Sequence, residues 1–275
     1  MSDGVAALER RHERAALAFL DRDPVANVFL TWLIESNRSS VGHPGTYVYL
    51  RGADVAGVAF FGRQVVLAAQ DDDVTSAFAE IPAARSPERM IVAERPVAQR
   101  YWECVREWHR PPRAVRDSQP VFSVDRESLN GNIRSGVRVR RAEARDLRVV
   151  AENSAAMIEH ELEYDPRTGG AAFDAGVRSM IDRGLWWLGE FENEYCFFMN
   201  AGAQSAYTLQ LQGIWTPPPM RSKGLATAAL SQICSLLLAD VPTLSLYVNA
   251  FNTPAIALYE RTGFVRAGEF ATYLF

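Results

Sequence analysis

The chain has 275 residues, 48% hydrophobic and 23% charged, which suits one large globular domain or two small ones. Its net charge of −4 argues against a general nucleic-acid-binding surface, and no run reaches the ~18 apolar residues of a membrane span. Cys104, Cys196 and Cys234 and the scattered His12, His43, His109 and His160 fit no disulfide framework or metal spacing, so free thiols, a reducing cytoplasm and no metal are expected.

Residues 5–20 read as an amphipathic helix, with Leu8, Ala15, Ala16, Phe19 and Leu20 on one side. Glu9, Arg10, Arg11, Glu13 and Arg14 leave no apolar core of signal-peptide type. Asp23 before Pro24 has the form of an N-cap, and a second helix carries Val28, Phe29, Trp32 and Leu33. After a loop over 36–45, residues 47–50 and 55–61 form a hairpin around Arg51-Gly52-Ala53-Asp54, and 64–69 is a further strand. Asp71, Asp72 and Asp73 cap a helix to about Ile81; three acids in a row favour a helix N-terminus here rather than a metal. Residues 90–93 are a short strand. Residues 97–108 are a helix with Trp102, Val105 and Trp108 facing the core, and 121–124 are a strand.

Ser128-Leu129-Asn130-Gly131-Asn132 reads as a linker, which divides the chain into residues 1–130 and 137–275. Beyond it come a strand at 137–140, a helix over 144–158 and the acidic run Glu159, Glu161, Glu163 and Asp165. A helix over 173–183 and strands at 185–190 and 195–201 follow. Tyr207, Leu209 and Leu211 alternate with Thr208, Gln210 and Gln212, which is strand-like. Pro217, Pro218 and Pro219 cannot continue a ladder, because they donate no N–H. Leu225, Ala226, Ala229, Leu230 and Ile233 then recur at helical spacing, so residues 221–226 sit where a helix begins. The free N–H groups of that first turn and the helix dipole make an anion site. Gly224 lets an anion approach, and Arg221 and Lys223, the chain's only lysine, add charge.

The loop lacks the spacing of a nucleoside-triphosphate or dinucleotide loop. Arg221, Gly224 and Ala226 instead resemble the pyrophosphate loop Arg/Gln-x-x-Gly-x-Gly/Ala of GNAT-superfamily N-acetyltransferases. A strand at 244–248 follows, and then Asn252, Ala255, Tyr259, Gly263 and Phe264 match that superfamily's closing pattern. Val139, Arg140, Ala142, Asp146 and Leu147 look like its opening. The resemblance implies an α/β fold of two GNAT-like domains, each a twisted mixed sheet flanked by helices. The order of elements in the first half resembles a degenerate copy, as in bacterial tandem GNAT proteins. No such loop follows residues 64–69, where three aspartates would repel pyrophosphate, so this half should not hold coenzyme A.

The resemblance implies acetyl-CoA as cosubstrate and transfer of its acetyl group to a primary amine of a small molecule or peptide, by a monomer or homodimer with no nucleic-acid or membrane partner. It places the backbone of Ile214, Trp215 and Thr216 along the pantetheine arm and acetyl carbonyl. Arg221, Ser222, Lys223, Gly224, Leu225 and Ala226 would hold the pyrophosphate. Tyr259 falls beside the coenzyme sulfur, where a phenol can protonate a thiolate, or it is a packed aromatic. Asn252 bonds the pantetheine or caps the helix before Pro254. The strand position that carries a glutamate base in some members is Gln210, which cannot take a proton but could orient a substrate or a water. Glu161, with Glu159 and Glu163, lies where relatives shape the acceptor pocket. The alternative is a coenzyme A-binding regulatory module without turnover, which Gln210 favours and Tyr259 disfavours.

Overall fold

A computed structural model describes residues 3–37, 42–85, 90–131 and 136–275. Part of the expected loop 36–45 and Asn132 of the expected linker lie outside the described residues. The chain opens with β1 (Gly4–Ala7), α1 (Arg10–Leu20) and α2 (Val28–Ser36). Then come β2 (Thr46–Arg51), β3 (Asp54–Phe61), β4 (Val65–Ala69), α3 (Asp72–Glu80), β5 (Met90–Glu94), α4 (Arg95–Val105) and β6 (Ala114–Asp125). The second half runs β7 (Arg138–Arg141), α5 (Leu147–Leu162), α6 (Ala172–Asp182), β8 (Trp186–Phe191), β9 (Glu194–Gln204) and β10 (Thr208–Trp215). It ends with α7 (Leu225–Leu237), β11 (Thr243–Tyr247), α8 (Thr253–Thr262) and β12 (Val265–Leu274).

Two expectations need correction. The helix expected over 5–20 starts only at Arg10, because Val5, Ala6 and Ala7 pair with Tyr49, Val48 and Tyr47 of β2. An edge ladder outweighs the modest helix propensity of two alanines there. Trp108 lies beyond α4, exposed, with the Arg85 guanidinium 4.9 Å over its ring, so it is not core.

Among the described residues all the strands belong to one 12-stranded sheet, in the order β1-β2-β3-β4-β5-β12-β6-β11-β10-β9-β8-β7. Each half contains one parallel pair, β4 with β5 and β10 with β11. Beside each pair lies the last strand of the other half. β12 pairs antiparallel with β5, β6 pairs antiparallel with β11, and β6 and β12 pair with each other. The two halves therefore exchange their final strands. The polar linker is tied down as well: Asn130 N–H donates to Thr262 O at 2.9 Å, and Ser231 Oγ donates to Asn130 O at 2.8 Å.

Helices cover both faces. α7 and α8 bury Leu230, Ile233 and Leu258 against Leu209, Leu211, Leu244 and Leu246. Full burial of each such side chain contributes about 1.5–3 kcal/mol. α5 and α6 cover the opposite face, where Val150, Val177 and Ile181 meet Trp186, Leu188, Phe198 and Trp215. In the first half α3 and α4 pack on one face, and α1 and α2 on the other. α2 packs on β3 and also on β9 and β10, so the N-terminal half reaches across the sheet of the C-terminal half.

Candidate active site

β10 and β11 run in register at only three positions, Thr208 with Thr243, Leu209 with Leu244 and Gln210 with Ser245. Beyond them β10 diverges, while β11 stays paired with β6 through Tyr247 and Val121. The divergence coincides with an irregularity between Gln212 and Trp215 in the β9–β10 ladder, where Gly213 adopts φ +59°. Glycine is favoured there by its positive φ, and any side chain would have to displace the Asn200 amide, whose Nδ2 lies 2.4 Å from where a Cβ would stand. The result is an opening between two parallel strands, where β10 beyond Gln210 has no ladder partner on the β11 side.

The expected loop closes one end of that opening. Pro218–Met220 forms a single 3-10 turn, and Met220 packs against the core. Ser222 (φ +60°) and Gly224 (φ +74°) are both left-handed, an arrangement that turns successive N–H groups to one side and makes an anion-binding concavity. Nothing lies within 4 Å of where a Gly224 Cβ would stand. Gly224 carries no capping side chain, so the first N–H groups of α7 face outwards, and buried Leu225 anchors the turn. Arg221, Ser222 and Lys223 are exposed around it. The Arg221 Nε donates to Thr216 O at 3.0 Å, and its guanidinium lies 4.6 Å over the Trp215 ring. Ile214 and Thr216 are half-buried on either side of buried Trp215.

The candidate acid and base lie within electrostatic reach of each other. Tyr259 is buried on α8 against Phe122 and Phe264. Desolvation, and then the charge of Glu161, push its phenol well above the usual value. Tyr247 is raised by the same two causes. The Glu161 carboxyl is itself raised by desolvation, against smaller opposing effects of His160 and Arg116. Solvent still reaches Glu161, so it is an open carboxylate in crowded surroundings. The end of α5 that carries it is held from the other half: Arg116 Nη2 donates to Glu161 O at 2.9 Å and Arg113 Nη1 to Leu162 O at 3.1 Å. Cations there satisfy the last carbonyls of the helix and complement its dipole. His160 sets its ring 5.7 Å from that of Trp215, so Trp215 joins the 221–226 loop to the end of α5.

Gln210 is buried, and its Oε1 accepts from Gln212 Nε2 at 2.7 Å. Asn252 caps α8, its Oδ1 accepting from Ala255 N–H at 3.3 Å. Gly263 (φ +101°) ends that helix, where a Cβ would meet Ser128 O. Arg140 and Asp146 form a fork of 2.7 and 2.9 Å, joined by Tyr195 OH at 2.8 Å and Glu190. That network holds the Asp146 carboxyl well below the usual range. It braces the start of α5 rather than meeting substrate. Sequence reasoning missed Gly213, Asn200, Arg116 and Tyr247; the isolated glycine in a strand was the one available signal.

Among the described residues no helix is long and apolar enough to cross a membrane. Residues 156–264 match the model of the acetyltransferase (GNAT) family. Residues 46–150 match a model described as a domain of unknown function (DUF4081). No curated protein matches the chain. Among solved structures, a Drosophila protein aligns over 100% of this chain and 99% of its own, with TM-score 0.67 and 14% identity. A GCN5-related N-acetyltransferase from Sphaerobacter thermophilus aligns over 98% and 94%, with TM-score 0.61 and 13% identity. A tandem GNAT protein from the clavulanic acid biosynthesis pathway aligns over 99% and 98%, with TM-score 0.57 and 12% identity. At such identities these likenesses establish the fold. The fold is one shared with GNAT proteins, a tandem one included, and residues 156–264 are similar to the acetyltransferase (GNAT) family.

Proposed function

We propose that the chain is an acetyl-CoA-dependent N-acyltransferase that acetylates a primary amine of a small molecule or peptide. The observation that supports this best is the opening between β10 and β11, closed at one end by the left-handed loop at Ser222 and Gly224. The open space in front of Gly224 and the outward N–H groups of α7 fit a pyrophosphate. Arg221 and Lys223 add charge to it. The free backbone edge of Ile214, Trp215 and Thr216 holds the pantetheine arm, and one N–H polarises the acetyl carbonyl as charge develops on its oxygen. The thioester supplies the activated acyl group.

Glu161 takes the proton from the attacking ammonium, directly or through a water. Its raised pKa suits that role better than an ordinary surface carboxylate. Tyr259 keeps its proton at neutral pH and gives it to the departing sulfur as the carbon–sulfur bond breaks. Burial disfavours a bare thiolate, which draws the proton across although the same burial raises the phenol, and the phenolate left behind regains a proton from the nitrogen as the amide forms. Gln210, tied to Gln212, orients rather than accepts a proton. Residues 1–130 support the fold and wall one side of the acceptor pocket, and residues 137–275 act as the catalytic unit.

Calorimetry of the whole chain with acetyl-CoA tests the binding step, and one site per chain is expected. Thiol release against a panel of amines tests the chemistry. Binding with no thiol release for any amine would instead favour a coenzyme A-binding regulatory module, the reading suggested by an amide at position 210.

A further inference from the structure

A cavity of about 190 Å³ lies away from the opening between β10 and β11, walled by Leu185, Trp187, Leu209, Leu237 and Val241. Trp187, Leu209 and Leu237 belong to the core on the α7 side, whereas α5, which carries Glu161, covers the opposite face of the sheet. Leu225 and Leu237 are the first and last residues of α7, so this wall is about 18 Å along the helix from the 221–226 loop. Leu209 likewise stands where β10 is still paired with β11, before the strands part.

Arg141, Arg183, Gln204 and Asp240 line the same cavity, and all four are exposed. Arg141 and its neighbour on β7 are used differently. Arg140 is paired with Asp146 and Glu190. Arg141 stands directly opposite Trp187 on β8 and lays its guanidinium 5.2 Å over that indole. Stacking holds a guanidinium by its face and leaves its N–H edge free for an anion. Gly184, at φ +68°, makes room for it: a Cβ there would stand 2.8 Å from Arg141 Nη1. Among the described residues Arg141, Arg183 and Asp240 make no ion pair, with one another or with any other group. The apolar wall suits a hydrocarbon group about the size of a benzene ring or a branched alkyl chain. A phosphate dianion would meet the arginines but be repelled by Asp240. A zwitterion satisfies both signs, its carboxylate on the guanidinium forks and its ammonium on Asp240.

We propose that this cavity binds an α-amino acid with an apolar side chain, separately from the transferase site. The carboxylate lies on Arg141 and Arg183, the ammonium on Asp240, and the side chain against Trp187 and Leu209. Its test is calorimetric titration of the whole chain, without coenzyme A, with three matched probes. The probes are leucine, 4-methylpentanoate, which lacks the ammonium, and isopentylamine, which lacks the carboxylate.

Leucine should saturate the chain below about 10 mM and bind about 10-fold or more tightly than either other probe, the effect of one lost set of charge-assisted hydrogen bonds. Asp240→Asn should bring leucine down to the level of 4-methylpentanoate without weakening 4-methylpentanoate itself. Arg183→Gln should weaken leucine and 4-methylpentanoate and leave isopentylamine unchanged. Both side chains are exposed, so both variants should melt as the wild type does. No saturation by leucine, equal binding of leucine and either probe, or wild-type affinities in both variants overturns the proposal. Leucine binding that is lost in Glu161→Gln and kept in Asp240→Asn overturns it too, because it places leucine at the acceptor end of the transferase site. Acetyl-CoA titration of the same samples tests the transferase reading separately.

Discussion

β4 and β10 hold equivalent places in the two halves: each pairs in parallel with the next strand and feeds a helix that packs on the sheet. Their links to those helices differ. β4 ends at Ala69, and only Gln70 and Asp71 precede α3. β10 runs past its partner, and residues 216–224 intervene before α7. In the first half Asp71 spends the helix N-terminus on itself, its Oδ1 accepting from Val74 N–H at 3.0 Å, with Asp72 and Asp73 beside it. In the second half the cap is Gly224, which has no side chain to offer. A helix N-terminus is thus a ligand site only where the chain declines to cap it and leaves room in front.

The sharpest way to break the comparison is to give the second half the chemistry of the first. Gly224→Asp puts a Cβ at φ +74° and a carboxylate where the anion belongs. Acetyl-CoA affinity should fall about 100-fold or more, as charge-assisted bonds give way to repulsion, with circular dichroism unchanged. Calorimetry showing wild-type affinity would sink the loop assignment.

Tyr259→Phe keeps the ring against Phe122 and Phe264 but removes the proton donor. The kcat should drop about 10²–10⁴-fold while the acetyl-CoA Kd stays within a few-fold. Full kcat where chemistry is rate-limiting would exclude the acid role. Glu161→Gln should cost about 10²-fold in kcat/KM. A base works deprotonated, so wild-type activity should fall as pH drops through the Glu161 pKa, which desolvation holds above the ordinary carboxylate value. The variant should lose that acidic limb; a pH profile that keeps it assigns the limb to another group.

Asp146→Ala breaks the fork with Arg140 and leaves that guanidinium only its pair with Glu190, so stability should fall by about 1–3 kcal/mol in denaturant titration. The folded pKa of Asp146 is depressed, so its contribution is complete above about pH 4 and lost as pH falls towards the folded value. Acid unfolding of wild type and variant should therefore converge at low pH, and a constant gap would contradict the cause given. Smallest of all, Asp71→Ala removes the α3 cap and should cost about 1 kcal/mol. It should leave one acetyl-CoA per chain; a second site by titration would show that capping alone had closed the N-terminal half.

What the sequence by itself determined is what lies close together along the chain. The prolines, Gly224 and the helical spacing after it mark the loop before α7 within a few residues, and Asp71 marks its own cap. Residues 252–264 show the capped helix with its glycine end in the same way. Tertiary structure alone decided which strands are neighbours. Reading the sequence found only 121–124 of the 12-residue β6 and did not find β12, because their partners β11 and β5 lie in the opposite halves and alternation names no partner. The family match over 46–150 likewise runs through the linker into α5. The hold of Arg116 on the end of α5 depends on that pairing. Local sequence sets backbone conformation through sterics and capping, whereas strand order and register follow from burying both faces of one sheet at once.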